Sequence, residues 1–166
     1  LTEEFANATL VGPGSRAILG SLAPDLDLAG FPFMAMREAD VAGIPARLFR
    51  VSFSGELSYE INVAGECGLA LWQRLAEAGA TPYGTEAMHV LRAEKGYFMI
   101  GHETDGSVTP LDLGLGRMIA ADKDCLGKRS LARADLVRAG RKQFVGLDVN
   151  PTGGALATVS AAWAAA

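Results

Sequence analysis

The feature that most constrains this chain is the alternation over residues 50–63, Arg-Val-Ser-Phe-Ser-Gly-Glu-Leu-Ser-Tyr-Glu-Ile-Asn-Val. Two alternating runs meet at Ser54-Gly55-Glu56, which is the pattern of a β-hairpin. In the first arm Phe49, Val51 and Phe53 share one face, and Arg50 and Ser52 take the other. In the second arm Leu57, Tyr59, Ile61 and Val63 share a face opposite Ser58, Glu60 and Asn62. Successive strand side chains point to opposite sides, so one face is buried and the other is left for water or a ligand. Glu60 and Asn62 set a carboxylate beside an amide on that second face, where they accept and donate hydrogen bonds together. The residues alone leave two readings open, an ordinary solvated sheet face or a polar binding wall.

The totals narrow the class. A chain of 166 residues with 49% apolar and 20% charged content supports one domain with a sizeable core. The formal net charge of −4 argues against a nucleic-acid binder. No apolar run is long enough to span a bilayer, and no signal peptide opens the chain, so no membrane association is expected. Cys67 and Cys125 are the two cysteines, too few for a disulfide framework or a four-cysteine zinc site. His89 and His102 have no metal-binding spacing, and no metal is expected. The cysteine usage suits a reducing cytoplasm. The start at Leu1 without a methionine, and the alanine-rich end, suggest a fragment whose last dozen or so residues belong to no core element.

Read in order, residues 5–11 form a strand, followed by Gly12-Pro-Gly-Ser-Arg-Ala17. Ser15 is expected to cap a helix that buries Ile18, Leu19 and Leu22 and stops at Pro24. The same six residues match G-x-G-x-x-A, but a two-turn helix and a loop-like continuation make a tight turn the better reading than a dinucleotide site. Residues 33–41 read as a second strand, and Pro45 belongs at the beginning or edge of the next. A helix after Cys67 carries Leu71, Trp72, Leu75 and Ala78 at core spacing and ends at Gly79. Trp72 is accordingly read as core, and Cys67 as packed or idle.

Thr85 caps a further helix closed by Gly96, with Thr85, His89 and Arg92 on one polar stripe. Arg92 either binds an anion or pairs with a carboxylate such as Glu60, or, the preferred reading, forms a structural ion pair or lies on a solvated face. Residues 97–101 read as a short strand, 102–106 as a turn, and 113–120 as extended or buried structure. Residues 122–139 read as a turn and a basic helix exposing Lys128, Arg129, Arg133 and Arg138. Residues 143–149 make a last strand. The order of elements indicates an α+β fold, an antiparallel sheet with helices packed on one face.

Three blocks taken together carry a resemblance. They are residues 50–63, residues 81–96 (Thr-Pro-Tyr-Gly-Thr-Glu-Ala-Met-His-Val-Leu-Arg-Ala-Glu-Lys-Gly) and Gly127-Lys-Arg-Ser-Leu131. They resemble the folate-binding domain shared by the glycine cleavage aminomethyltransferase, or T-protein, and amine-oxidising flavoenzymes. Residues 87–96 and Thr104-Asp-Gly-Ser-Val-Thr-Pro110 are most similar to the C-terminal part of sarcosine oxidase α subunits. The resemblance covers about residues 3–147, which makes residues 1–147 a partial folate-binding domain and leaves residues 148–166 a tail without assignment.

The resemblance implies a tetrahydrofolate site beside an oxidase. In such an oxidase sarcosine would be demethylated to glycine, the one-carbon unit would pass to tetrahydrofolate, and oxygen would become hydrogen peroxide. FAD, FMN and NAD are then expected elsewhere in a hetero-oligomeric complex, with the other sarcosine oxidase subunits as partners. The acid matched by Glu60 hydrogen-bonds the pterin ring, and Tyr59 and Arg92 are further candidates for folate binding. Two departures qualify the transfer of roles. Met88 stands where the aminomethyltransferase has an arginine for the folate tail. The family's catalytic aspartate lies upstream of the region matched by Leu1, so no catalytic residue is expected here and the chain alone is expected to be inactive. Two alternatives remain, an aminomethyltransferase of the glycine cleavage system and a non-catalytic interaction module that keeps the fold.

Overall fold

A computed structural model describes residues 3–148 and 159–165. The chain forms two compact units, Leu1–Leu91 and Arg92–Ala166. The first is built on a four-stranded antiparallel sheet of β1 (Phe5–Val11), β2 (Met36–Val41), β3 (Ile44–Phe49) and β4 (Ser58–Ala64), in spatial order β1-β4-β3-β2. Helices α1 (Ser15–Leu22) and α2 (Gly68–Glu77) pack against it, α1 on β1 and α2 on β1 and β4. This is the expected α+β architecture.

The alternation in the second arm sorts its faces as anticipated. Tyr59, Ile61 and Val63 are buried, while Glu60 and Asn62 are half-buried. Their register partners Leu10, Ala46 and Leu48 join Leu19, Phe31, Leu71 and Leu75 in one apolar cluster. Each large side chain removed from water there contributes roughly 1.5–3 kcal/mol. Pro45 lies at the second position of β3, before that strand begins pairing with β4 at Ala46.

The hairpin itself is displaced from its expected place. Its first arm is β3, with Phe49 opposite Glu60, and residues 50–57 form a connection instead of a strand. The cause is competition for backbone partners. The Arg50 N–H donates to the Ala35 carbonyl at 3.0 Å, the Met34 N–H donates to the Arg50 carbonyl at 2.9 Å, and Arg50 Nη1 donates to the Phe31 carbonyl. These bonds draw the arm onto residues 31–35 and away from β4. Similarly, the second strand begins at Met36 and not at residue 33.

Glycines terminate the helices as expected. Gly79 (φ +94°) follows α2, with N–H donation from Gly79 to the Ala76 carbonyl and from Ala80 to the Leu75 carbonyl. The same bond pair, Gly96 to Ala93 and Tyr97 to Arg92, closes α3 (Thr85–Glu94). Both are the left-handed cap that glycine accommodates without steric cost. The N-terminal cap of α1 differs from expectation. Its N-cap residue is Gly14 without a side-chain bond, and Ser15 Oγ instead donates to the Leu57 carbonyl at 3.1 Å, tying the helix to the start of β4.

The second unit holds α4 (Leu126–Leu131), α5 (Ala134–Val137) and a two-stranded sheet of β5 (Lys142–Asp148) and β6 (Val159–Ala165). The basic helix expected over residues 122–139 is therefore two short helices. Residues 97–101 form no strand beyond one bridge between Ile100 and Thr104, and residues 113–120 hold only a 3-10 turn at Gly116–Met118. The final strand matches the expectation apart from Val149, which lies outside the described residues. Pairing of β6 with β5 gives part of the alanine-rich end a place in a sheet where the sequence suggested no element. Among the described residues no helix is long and apolar enough to cross a membrane, and no group of three His, Cys, Asp or Glu side chains could hold a metal ion.

Candidate functional site

The sheet face opposite the helices carries the residues of interest. Glu60 sits on β4 directly opposite Thr9 of β1 on one side and Phe49 of β3 on the other. Directly opposed residues hold their Cβ atoms about 4.5–5.5 Å apart, so a carboxylate, a hydroxyl and an aromatic ring line one row across three strands. One row along, Asn7 Nδ2 donates to Asn62 Oδ1 at 3.2 Å, and Thr9 Oγ1 donates to Asn7 Oδ1 at 3.4 Å. Asn62 is thus engaged with Asn7, whereas the Glu60 carboxylate has no side-chain hydrogen bond or ion pair among the described residues. A half-buried carboxylate in that condition retains its capacity to accept donors from a ligand.

The start of β4 adds two hydroxyls. Ser58, on the same face two residues before Glu60, is 2% exposed, and its Oγ has no hydrogen-bond partner. Ser52 Oγ, in the connection before β4, is buried in the same condition. Buried polar groups are rarely left unpaired, and two of them in the segment leading to Glu60 set this end of the sheet apart from an ordinary surface.

The other two sequence candidates are placed differently. Tyr59 is fully buried on the helix-covered face, 5.9 Å from the Phe31 ring, with its hydroxyl accepting from Arg16 Nε at 3.4 Å. It points to the opposite side of the sheet from Glu60 and serves the core. Arg92 is 6% exposed and belongs to the second unit, where Nη1 donates to Glu103 Oε1 at 2.7 Å and to the Tyr97 carbonyl at 3.1 Å. Glu103 also accepts from the Met99 N–H at 2.8 Å. Burial pushes the Glu103 carboxyl up, but the hydrogen bonds from Met99 and Arg92 outweigh it and hold it below the usual value. Of the fates open to Arg92, the structural ion pair is the one realised, and its carboxylate is Glu103, not Glu60.

Beside the Glu60 row, a groove of about 460 Å³ runs along the outer edge of β1. Asn7 and Thr9 of β1, Trp72 and Leu75 of α2, and Tyr83 and Met88 line it. Trp72 is 52% exposed, which corrects its reading as core: α2 buries Leu71 and Leu75 and turns Trp72 into the groove. Burial raises the Tyr83 hydroxyl above the ordinary phenol value. Gly12 to Ser15 also line it, but α1 follows an edge strand of an antiparallel sheet. That is not the parallel strand-turn-helix setting of a dinucleotide site. The sequence could not signal Thr9 as a neighbour of Glu60, because the β1–β4 pairing joins residues about fifty positions apart.

Comparisons agree with this architecture. The family model described as GCVT N-terminal domain matches residues 1–123. The chain is 47% identical over 152 residues to sarcosine oxidase subunit alpha of Corynebacterium sp. (strain U-96), covering 87% of this chain and 16% of that relative. It is 40% identical over 155 residues to the subunit of the same name from Rhizobium meliloti (strain 1021), covering 89% and 16%. Against aminomethyltransferase of Streptomyces avermitilis it is 38% identical over 138 residues, covering 80% and 37%. The chain thus spans about a sixth of the length of the sarcosine oxidase relatives. With its antiparallel sheet, its packed helices and a family match over most of its length, the chain belongs to the GCVT N-terminal domain family.

Proposed function

We propose that this chain is the folate-binding part of a sarcosine oxidase α subunit, with Glu60 as the anchor for the pterin ring of tetrahydrofolate. The observation that carries the assignment is the identity of 47% over 152 residues to a sarcosine oxidase α subunit, against 38% over 138 residues to an aminomethyltransferase. The site chemistry supports it. A pterin edge presents paired N–H donors, and Glu60 offers an unpaired carboxylate on an accessible sheet face, a charge-assisted match. Residues 1–147 make up the folate-domain portion in this reading. Tyr59 supports the strand from the core side, and Arg92 holds the turn that carries Glu103.

In the whole protein, the reading entails oxidation of sarcosine to glycine with hydrogen peroxide formation, capture of the one-carbon unit by tetrahydrofolate, FAD, FMN and NAD bound elsewhere, partner subunits, and a cytoplasmic setting. This chain contributes binding and orientation of the acceptor and no catalytic group. An aminomethyltransferase is the second reading, favoured by the 38% identity but opposed by Met88, an apolar residue where a folate-tail cation is needed. Calorimetry with tetrahydrofolate on wild type and Glu60→Gln tests the site. At least a tenfold loss is expected, and unchanged affinity removes Glu60 from it. Sarcosine-dependent peroxide formation by the whole protein separates the two readings.

A further inference from the structure

The sheet face that carries Glu60 also holds a concavity of about 540 Å³, and Glu60 is not among the residues that line it. The strand register places its parts. Asn62 of β4, Arg47 of β3 and Glu38 of β2 stand directly opposite one another in one row. Two residues further along the strands lie Phe5 of β1 and the opposed pair Pro45 and Asp40. The Arg47 guanidinium sits over the Phe5 ring, 5.4 Å from its centroid. Its Nε is 3.6 Å from Glu38 Oε1, an ion-pair distance that is too long for a hydrogen bond. Such an exposed pair is worth less than about 1 kcal/mol and leaves both groups open to a ligand. Neither Nη of Arg47 donates a hydrogen bond among the described residues, and Asp40 accepts none. Asn62 accepts from Asn7 through Oδ1, which leaves its amide N–H groups to donate.

The arrangement of signs selects the ligand. A simple anion drawn to Arg47 and Asn62 meets the carboxylates of Glu38 and Asp40, and a simple cation drawn to those acids meets the guanidinium. A molecule with a carboxylate and an ammonium on one carbon satisfies both sides. We propose that this concavity binds a free α-amino acid as its zwitterion. The carboxylate takes parallel N–H donors from Arg47 and a further donor from Asn62, and the ammonium turns to Asp40. Arg47 and Asp40 are diagonal neighbours across β3 and β2, which sets their Cβ atoms about 7–8 Å apart. That gap holds one such molecule between the two side-chain tips. Phe5, half exposed, and Pro45 supply an apolar wall for an aliphatic side chain. A peptide end carries one of the two charges and not both, so a protein terminus does not meet the same requirement. The site stands apart from the folate reading, because it uses none of the groups assigned to the pterin.

The test titrates the 166-residue chain with leucine, isocaproate and isoamylamine, followed by amide-detected nuclear magnetic resonance. Isocaproate is leucine without its ammonium, and isoamylamine is leucine without its carboxylate. Leucine is expected to shift the signals of Asp40, Arg47 and Asn62 along a saturable curve, with affinity at least about fivefold above either analogue. Arg47→Met and Asp40→Asn, both at exposed positions, should each lower leucine affinity by at least about fivefold while signals elsewhere keep their native positions. Isocaproate binding as tightly as leucine would make this a plain anion site and overturn the proposal. A leucine response centred on Thr9 and Glu60, or no saturable response at all, overturns it equally. Each of these results leaves tetrahydrofolate binding, and the reading built on it, untouched.

Discussion

Arg141 grips Asp112 through both carboxylate oxygens, Nε to Oδ1 at 2.9 Å and Nη2 to Oδ2 at 2.5 Å. Asp112 Oδ2 also accepts from the N–H and the hydroxyl of Thr109, each at 2.8 Å, and the Asp112 carbonyl accepts from the Phe144 N–H. The contact joins positions 29 apart in sequence and so closes a loop of the second unit that includes α4 and α5.

The Asp112 node makes the second unit acid-sensitive. The Arg141 hydrogen bonds, working against burial, lower the Asp112 carboxyl from 3.8 to about 2. The folded value lies below the unfolded one, so the contribution is complete above pH 4 and disappears as the pH falls toward 2. A shift of this size amounts to on the order of 2 kcal/mol. Hydrogen exchange in residues 107–112 should accelerate across that window and stay constant from pH 5 to 7 after correction for intrinsic rates. Asp112→Asn removes the carboxylate that Arg141 and Thr109 both engage and should appear as loss of protection in the same peptide at pH 7. Protection unchanged in that variant would show that the node is incidental.

Tyr59 and Glu60 are adjacent in sequence and should separate completely by mutation. Tyr59→Ala empties a fully buried position and should cost about 3–5 kcal/mol in the first unit. Tyr59→Phe removes only a marginal bond to Arg16 and should cost about 1 kcal/mol or less, with tetrahydrofolate affinity unchanged. Thermal unfolding and calorimetry on the same samples check both parts. A tenfold loss of affinity in the stable Tyr59→Phe protein would place the hydroxyl in the site.

The turn between β2 and β3 stores strain that a substitution can relieve. Ala42 and Gly43 both have positive φ, +52° and +78°, the geometry of a two-residue type I′ turn. A left-handed backbone suits asparagine better than alanine, and Ala42 borders an open cleft with Leu22, Arg74 and Glu77. Ala42→Asn should stabilise the first unit by about 0.5–1 kcal/mol, and Gly43→Ala should destabilise it by about 1 kcal/mol. A lower melting temperature for Ala42→Asn would mean that the Ala42 N–H bond to the Leu22 carbonyl, at 2.6 Å, does not survive the change.

Much of the fold was legible in local chemistry. The first strand matched at both ends, and Gly79 and Gly96 marked the ends of α2 and α3 because a left-handed cap depends on one residue. Trp72 was misread for the opposite reason. Helical spacing tells which side chains share a face with Leu71 and Leu75, but whether that face is covered depends on the free edge of β1. Arg92 shows the same limit, since a guanidinium on a helix stripe is compatible with several carboxylates and only the turn at residues 97–103 delivers one of them.

The alternation from Leu57 to Val63 by itself determined which side chains of β4 enter the core, because a strand must send neighbours to opposite faces. It equally determined that Glu60 and Asn62 lie on the other side. Only the tertiary structure decided what stands beside them. Period-2 patterning is unchanged by a two-residue shift and carries no partner identity. The choice of β3 over residues 50–53, and the arrival of Thr9 opposite Glu60, therefore rested on backbone hydrogen bonds made by Arg50, Ala35, Gly12 and Leu57.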